Sequence, residues 1–109
     1  MCRGSGLAAH IATERVPILP GLLALAQAGV ATGASARNWQ SYGKEVRLAP
    51  HIDAPLQAVL TDPQTSGGLL VACHPDELAA VQAIFARRGF AQAAMIGRMS
   101  SGAPQVHVE

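Results

Sequence analysis

Asp62-Pro63-Gln64-Thr65-Ser66-Gly67-Gly68-Leu69-Leu70-Val71-Ala72-Cys73 is the stretch whose reading decides the fold. Pro63 lacks an amide hydrogen and stops any helix that precedes it. Thr65 and Ser66 offer hydroxyls, and the Gly67-Gly68 pair admits backbone dihedrals and a close approach denied to other residues. Successive amide N–H groups in such a turn form a nest for an anion. The same residues also suit a plain tight turn that feeds a buried strand. Leu69 to Cys73 is a continuous apolar run, the pattern of a strand covered on both faces.

Working outward, a helix is expected from Pro75. Leu78, Val81 and Phe85 fall on one face of it, Asp76 and Glu77 lie in its first turn, Arg87 and Arg88 in its last, and Gly89 closes it. Before the central stretch, Asp53 can cap a helix carrying Leu56, Val59 and Leu60 at helical spacing. Further upstream, Leu7 to Ala12 reads as a strand entered from the Gly4-Ser5-Gly6 turn. Gly21 to Ala28 reads as a helix bounded by Pro20 and Gly29. Val30 to Pro50 shows no periodicity and reads as a long loop in which Trp39 and Tyr42 either form an interface or seal a core edge. Downstream, strands are expected at about Ala93 to Gly97 and Gln105 to Val108, joined by a turn at Ser100, Ser101 and Gly102. Helices that alternate with strands in this order argue for an α+β fold, a mixed sheet with helices packed on one face.

Composition bounds the chain further. Its 109 residues are 50% hydrophobic and 14% charged, which suits one domain. Twenty-one residues are Ala and four are aromatic. At roughly 25 cal/mol per Å² of buried apolar surface, side chains this small give a marginal core, so the chain is expected to pack against something or to be weakly stable alone. Eight basic against seven acidic residues leave a charge of +1, which gives no basic stripe for nucleic acid. No apolar run reaches the roughly 18 residues of a membrane span and no signal-peptide layout opens the chain; a cytoplasmic protein is expected. Cys2 and Cys73 form no disulfide framework or zinc pattern and are read as reduced thiols, Cys73 as buried and inert. His10, His51, His74 and His107 lack metal-ligand spacing, and Lys44 lies outside any phosphate-binding GxxxxGK[ST] loop.

The string Asp62 to Leu70 resembles the signature near the C-terminus of the selenide, water dikinase (selenophosphate synthetase) family. Leu19-Pro20-Gly21, Gly29, Thr32-Gly33, Arg37-Asn38 and Ser41-Tyr42-Gly43 upstream resemble the same family in the same order, as do Pro75 to Gly89 and Ile96-Gly97-Arg98 downstream. The resemblance covers nearly the whole chain. It implies the C-terminal α+β domain of the aminoimidazole ribonucleotide synthetase-like superfamily, in a family that converts selenide, ATP and water to selenophosphate, AMP and phosphate.

In that family the N-terminal domain supplies most of the ATP and Mg²⁺ site and a reactive Cys or selenocysteine near a Lys. The C-terminal domain opens with a strand ending in Asp-Val-Thr-Gly-Phe-Gly, whose Asp is a metal ligand. None of these is found between residues 1 and 109. By order of motifs, Met1 to Gly6 corresponds to the end of the domain's first helix, so the opening strand and most of that helix are expected to be missing, and Cys2 is not the reactive Cys. No catalytic residue and no tight ATP or Mg²⁺ binding are therefore expected of the chain alone. Thr65, Ser66, Gly67 and Gly68 are the candidate phosphate-contacting residues, and Asp62 is the one candidate metal ligand. The expected partner is a second copy or the N-terminal domain. Two alternatives remain: a stand-alone homodimeric interaction module, and another ATP-binding member of the same superfamily.

Overall fold

Local backbone chemistry sets the element boundaries along residues 1–109, all of which are described by the computed structural model. The short helix α1 (Cys2–Ser5) ends at Gly6 and leads into strand β1 (Leu7–Ile11). Helix α2 (Leu22–Gln27) lies where the Pro20 and Gly29 signals put it. Helix α3 (Gly33–Tyr42) and strand β2 (Val46–Leu48) follow, joined by a single 3-10 turn at Gly43–Glu45. Asp53 caps helix α4 (Ala54–Leu60), its Oδ1 accepting the Leu56 amide hydrogen at 2.9 Å. A 3-10 turn at Pro75–Glu77 opens helix α5 (Leu78–Arg87), after which Gly89 takes the left-handed φ of 85° that favours glycine. Strands β3 (Gly97–Ser101) and β4 (Val106–Val108) complete the chain.

The four strands form one mixed sheet in the order β2-β4-β1-β3. β1 pairs antiparallel with β3 and parallel with β4, and β4 pairs parallel with β2. The two last strands, although joined by a short turn, are therefore separated in the sheet by β1. Gly97 is required where β3 meets β1, because a Cβ there would collide with the carbonyl oxygen of His10. Side chains alternate across each strand, so the register gives the sheet two different faces. Ala9, Ile11, Met99, Val106, Val108 and Leu48 share the apolar face, while His10, Arg98, His107 and Arg47 share the other.

The core is as small as the Ala content implies. Its buried apolar residues are Ala8, Ala9, Ile52 and Val108, and no large side chain is fully enclosed.

Three expectations need correction. First, Val30 to Pro50 is not a loop. Thr32 is an N-cap whose hydroxyl accepts from the Ser35 amide, so the residues read as turn formers start a helix. Second, Leu69 to Cys73 forms no strand. It is exposed, Leu69 at 82%, and residues 63–73 make no backbone hydrogen bond. An extended run is a strand only where a neighbour pairs with it, and neither edge of the sheet does so. Cys73 is consequently exposed rather than buried. Third, the strand expected at Ala93 to Gly97 begins at Gly97 and runs through the Ser100-Ser101 pair, because pairing with β1 outweighs the turn preference of serine.

Candidate functional site

Three polar residues at the ends of two helices form a network where the Asp62 string begins. Asp62 follows α4, Thr32 caps α3, and Ser35 sits in the first turn of α3. One carboxylate oxygen, Oδ1 of Asp62, accepts from the Thr32 hydroxyl at 3.0 Å and the Ser35 hydroxyl at 3.1 Å. Asn38, one turn further along α3, donates from Nδ2 to the carbonyl of Thr61 at 2.9 Å. Thr61 in turn donates its hydroxyl to the Gln57 carbonyl at 2.9 Å, the same oxygen that accepts its amide hydrogen at the end of α4. Ser35 and Thr61 are the two buried polar residues of the chain.

Two clefts flank this network. One, of about 280 Å³, is lined in part by Trp39, Gln40, Ala54 and Gln57. The other, of about 200 Å³, is lined in part by Leu22, Leu25, Val59 and Asp62. Thr32 and Ser35 belong to both. These are open apolar grooves with a hydroxyl and carboxylate seam between them.

The rest of the string, from Thr65 onward, lies outside the seam. Thr65 and Ser66 form an exposed turn, and Gly67 and Gly68 are exposed as well. Gly67 approaches its own turn closely, since a Cβ there would lie 2.8 Å from Cβ of Gln64, whereas Gly68 faces open space. Neither glycine has a positive φ. The four residues thus stay together on one exposed turn, and Asp62 is separated from them by its commitment to α3.

For a Mg²⁺ ion, the candidate ligand Asp62 offers one carboxylate that is already partly engaged. The ion needs near-octahedral oxygen ligation, usually one or two carboxylates with phosphate and water. One oxygen of Asp62 is taken by two hydroxyls, and no cluster of three His, Cys, Asp or Glu side chains contains it. Its structural role, and the roles of Thr32, Ser35, Asn38 and Thr61, are invisible in the periodicity of the sequence. The one available signal was Thr32 followed three residues later by Ser35, a helix-start spacing.

A second polar group lies on the sheet. His10 and His107, paired in the β1–β4 register, stack with ring centroids 4.8 Å apart and planes within 9°. His10 Nδ1 lies 3.0 Å from Oε1 of Glu109, and its Nε2 lies 3.0 Å from Oγ of Ser100. The hydrogen bond with His10 is the main cause holding the Glu109 carboxyl below its usual range, and the charges of His10, Arg98 and His107 add to it.

Comparison with known proteins agrees with this architecture. Residues 1–109 match the family model described as AIR synthase related protein, C-terminal domain. Similar proteins include a selenide, water dikinase of Pseudomonas straminea, 54% identical over 108 residues, which are 99% of this chain and 30% of the relative. A selenide, water dikinase of Burkholderia pseudomallei (strain K96243) is 52% identical over the same shares of each chain. One of Rhizobium meliloti (strain 1021) is 40% identical over 99% of this chain and 31% of the relative. The chain therefore spans about 30% of the length of these relatives. An α+β chain matched from end to end by that model belongs to the AIR synthase related protein C-terminal domain family, and within it resembles the C-terminal part of the selenide, water dikinases.

Proposed function

We propose that these residues act as the C-terminal portion of an ATP-dependent selenophosphate synthetase, which makes selenophosphate, AMP and phosphate from selenide, ATP and water. The chain contributes scaffold and a docking surface, and the remainder of the enzyme supplies the nucleotide site. The observation that carries this reading is the exposed, unpaired apolar run at Leu69, Leu70 and Val71, directly after the Thr65-Ser66-Gly67-Gly68 turn. Burying that run is favourable by roughly 25 cal/mol per Å² of apolar surface, and covering it brings the turn to the boundary between this domain and what packs on it. There the two hydroxyls and the backbone amides of Gly67 and Gly68 are suited to contact a phosphate. ATP and Mg²⁺ belong to the assembled enzyme, which we place in the cytoplasm, and the chain alone binds neither tightly.

The test is a chimera in which this chain replaces the matching C-terminal 30% of the Pseudomonas straminea relative. Selenide-dependent AMP formation within about tenfold of the parent enzyme supports the reading. A folded, soluble chimera with none contradicts it, as does micromolar binding of ATP and Mg²⁺ to the isolated chain by calorimetry. The same exposed run favours a second reading, a stand-alone homodimer built by pairing Leu69 to Ala72 across two copies. Light scattering that shows a well-folded dimer of the isolated chain, together with an inactive chimera, selects it.

A further inference from the structure

The polar face of the sheet carries a row of cationic and ionisable side chains, one from each strand at the same level. The register pairs Arg47 of β2 with His107 of β4, His107 with His10 of β1, and His10 with Arg98 of β3. Paired residues in neighbouring strands project to the same side, about 4.8 Å apart, and the stacked imidazoles show that they do so here.

The hydrogen bonds divide this row into engaged and free groups. His10 is fully engaged: Glu109 accepts from Nδ1, so in the neutral ring Nε2 accepts the Ser100 hydroxyl hydrogen. His107, half-buried beneath the same stack, has no hydrogen-bond partner in the chain for either ring nitrogen, and neither nitrogen is sealed from solvent. Arg47 spends Nε on Oε1 of Gln105 at 2.8 Å, which fixes its guanidinium while leaving the terminal nitrogens free. Arg98 is exposed and enters no ion pair or side-chain hydrogen bond. The charged and titratable side chains of this row are thus Arg47, His107, His10 and Arg98, with the Glu109 carboxylate beside His10.

We propose that this face is a binding site for a doubly charged oxyanion of the phosphate or sulfate type, seated on His107 and held by Arg47 and Arg98. His10, fixed by Glu109 and Ser100, is the platform on which His107 stacks. The guanidinium groups give charge-assisted hydrogen bonds to the anion, and protonated His107 adds another. A cationic His107 adds a charge that the neutral ring lacks, so binding tightens on acidification. Glu109 competes with the incoming anion and limits its affinity at neutral pH. The site is independent of the Thr65 to Gly68 turn and of the assembly proposed above.

The test follows the imidazole Cε1 proton signals of the 109-residue chain by NMR during titration with sulfate, whose charge does not change in this range, and with pyrophosphate. We expect saturable shifts of both His10 and His107, with apparent affinity for sulfate about tenfold higher at about pH 6 than at about pH 7.5. Tighter binding of pyrophosphate than of sulfate identifies a phosphate chain spanning the row, and equal binding identifies a single oxyanion. Arg47→Gln and Arg98→Gln, both at exposed positions, should each weaken binding about fivefold with the histidine signals still dispersed. Glu109→Gln should tighten it severalfold, a gain that loss of structure cannot produce. Histidine signals that sulfate and pyrophosphate leave unmoved overturn the proposal, as do arginine variants that bind like the wild type or a Glu109→Gln chain that binds more weakly.

Discussion

Asp62 ties two helices together through a single oxygen. Its Oδ1 receives the hydroxyls of Thr32 and Ser35, and Thr32 also accepts the Ser35 amide, so the start of α3 is held to the end of α4 by one connected network. Asp62→Ala leaves two hydroxyls without their acceptor and should lower stability by about 1 to 2 kcal/mol, read as a shift of the urea midpoint. Asp62→Asn keeps an oxygen acceptor and should retain most of that stability. Glu109 couples stability to pH. Its folded-state pKa lies below its unfolded value, chiefly through the hydrogen bond with His10. Its contribution is therefore present above the usual carboxylate range and lost as pH falls through that range. The melting temperature should drop over that window in the wild type and drop less in Glu109→Gln.

At the scale of elements, the chain divides into parts that satisfy themselves and one that does not. α4 has its Asp53 cap and β1 has partners on both sides, whereas Leu69 to Cys73 has neither cap nor partner. Leu69→Asp combined with Val71→Asp should therefore leave the stability of the isolated chain within about 0.5 kcal/mol, while abolishing assembly and activity in the chimera. Chemical unfolding of the first and AMP formation by the second measure the two effects. Much of this was legible in sequence where the signal was local. The Asp53 cap, the Gly89 stop and the half-buried Leu78, Val81 and Phe85 stripe of α5 all follow from spacing within one helix. The helix at Gly33–Tyr42 was not legible, because Gly33, Ser35 and Asn38 are poor helix formers and the last two act through partners some 25 residues away in sequence. The strand at Gly97–Ser101 was shifted for the same reason, since pairing with β1 decides it. The row of Arg47, His107, His10 and Arg98 depends on register across four strands, which one sequence does not contain. For the candidate site, the sequence supplied the exposed Thr65 to Gly68 turn but not the use of Asp62 as a bridge.

At the scale of the whole molecule, a small Ala-rich core and an exposed apolar run point the same way. Four buried apolar residues, two of them alanines, leave little area to offset chain entropy, and α5 has no buried residue at all. The relatives are about three times longer than this chain, which covers 30% of them. No helix is long and apolar enough to cross a membrane. These features share one explanation, a domain whose exposed apolar run is covered by another surface in the assembled enzyme, and amide hydrogen exchange at Leu69 to Cys73 tests it most directly. In the isolated chain these amides should exchange near the unprotected rate. In the chimera with the rest of the Pseudomonas straminea relative they should slow by about a hundredfold or more. Protection already present in the isolated chain, or none gained in the chimera, contradicts the account.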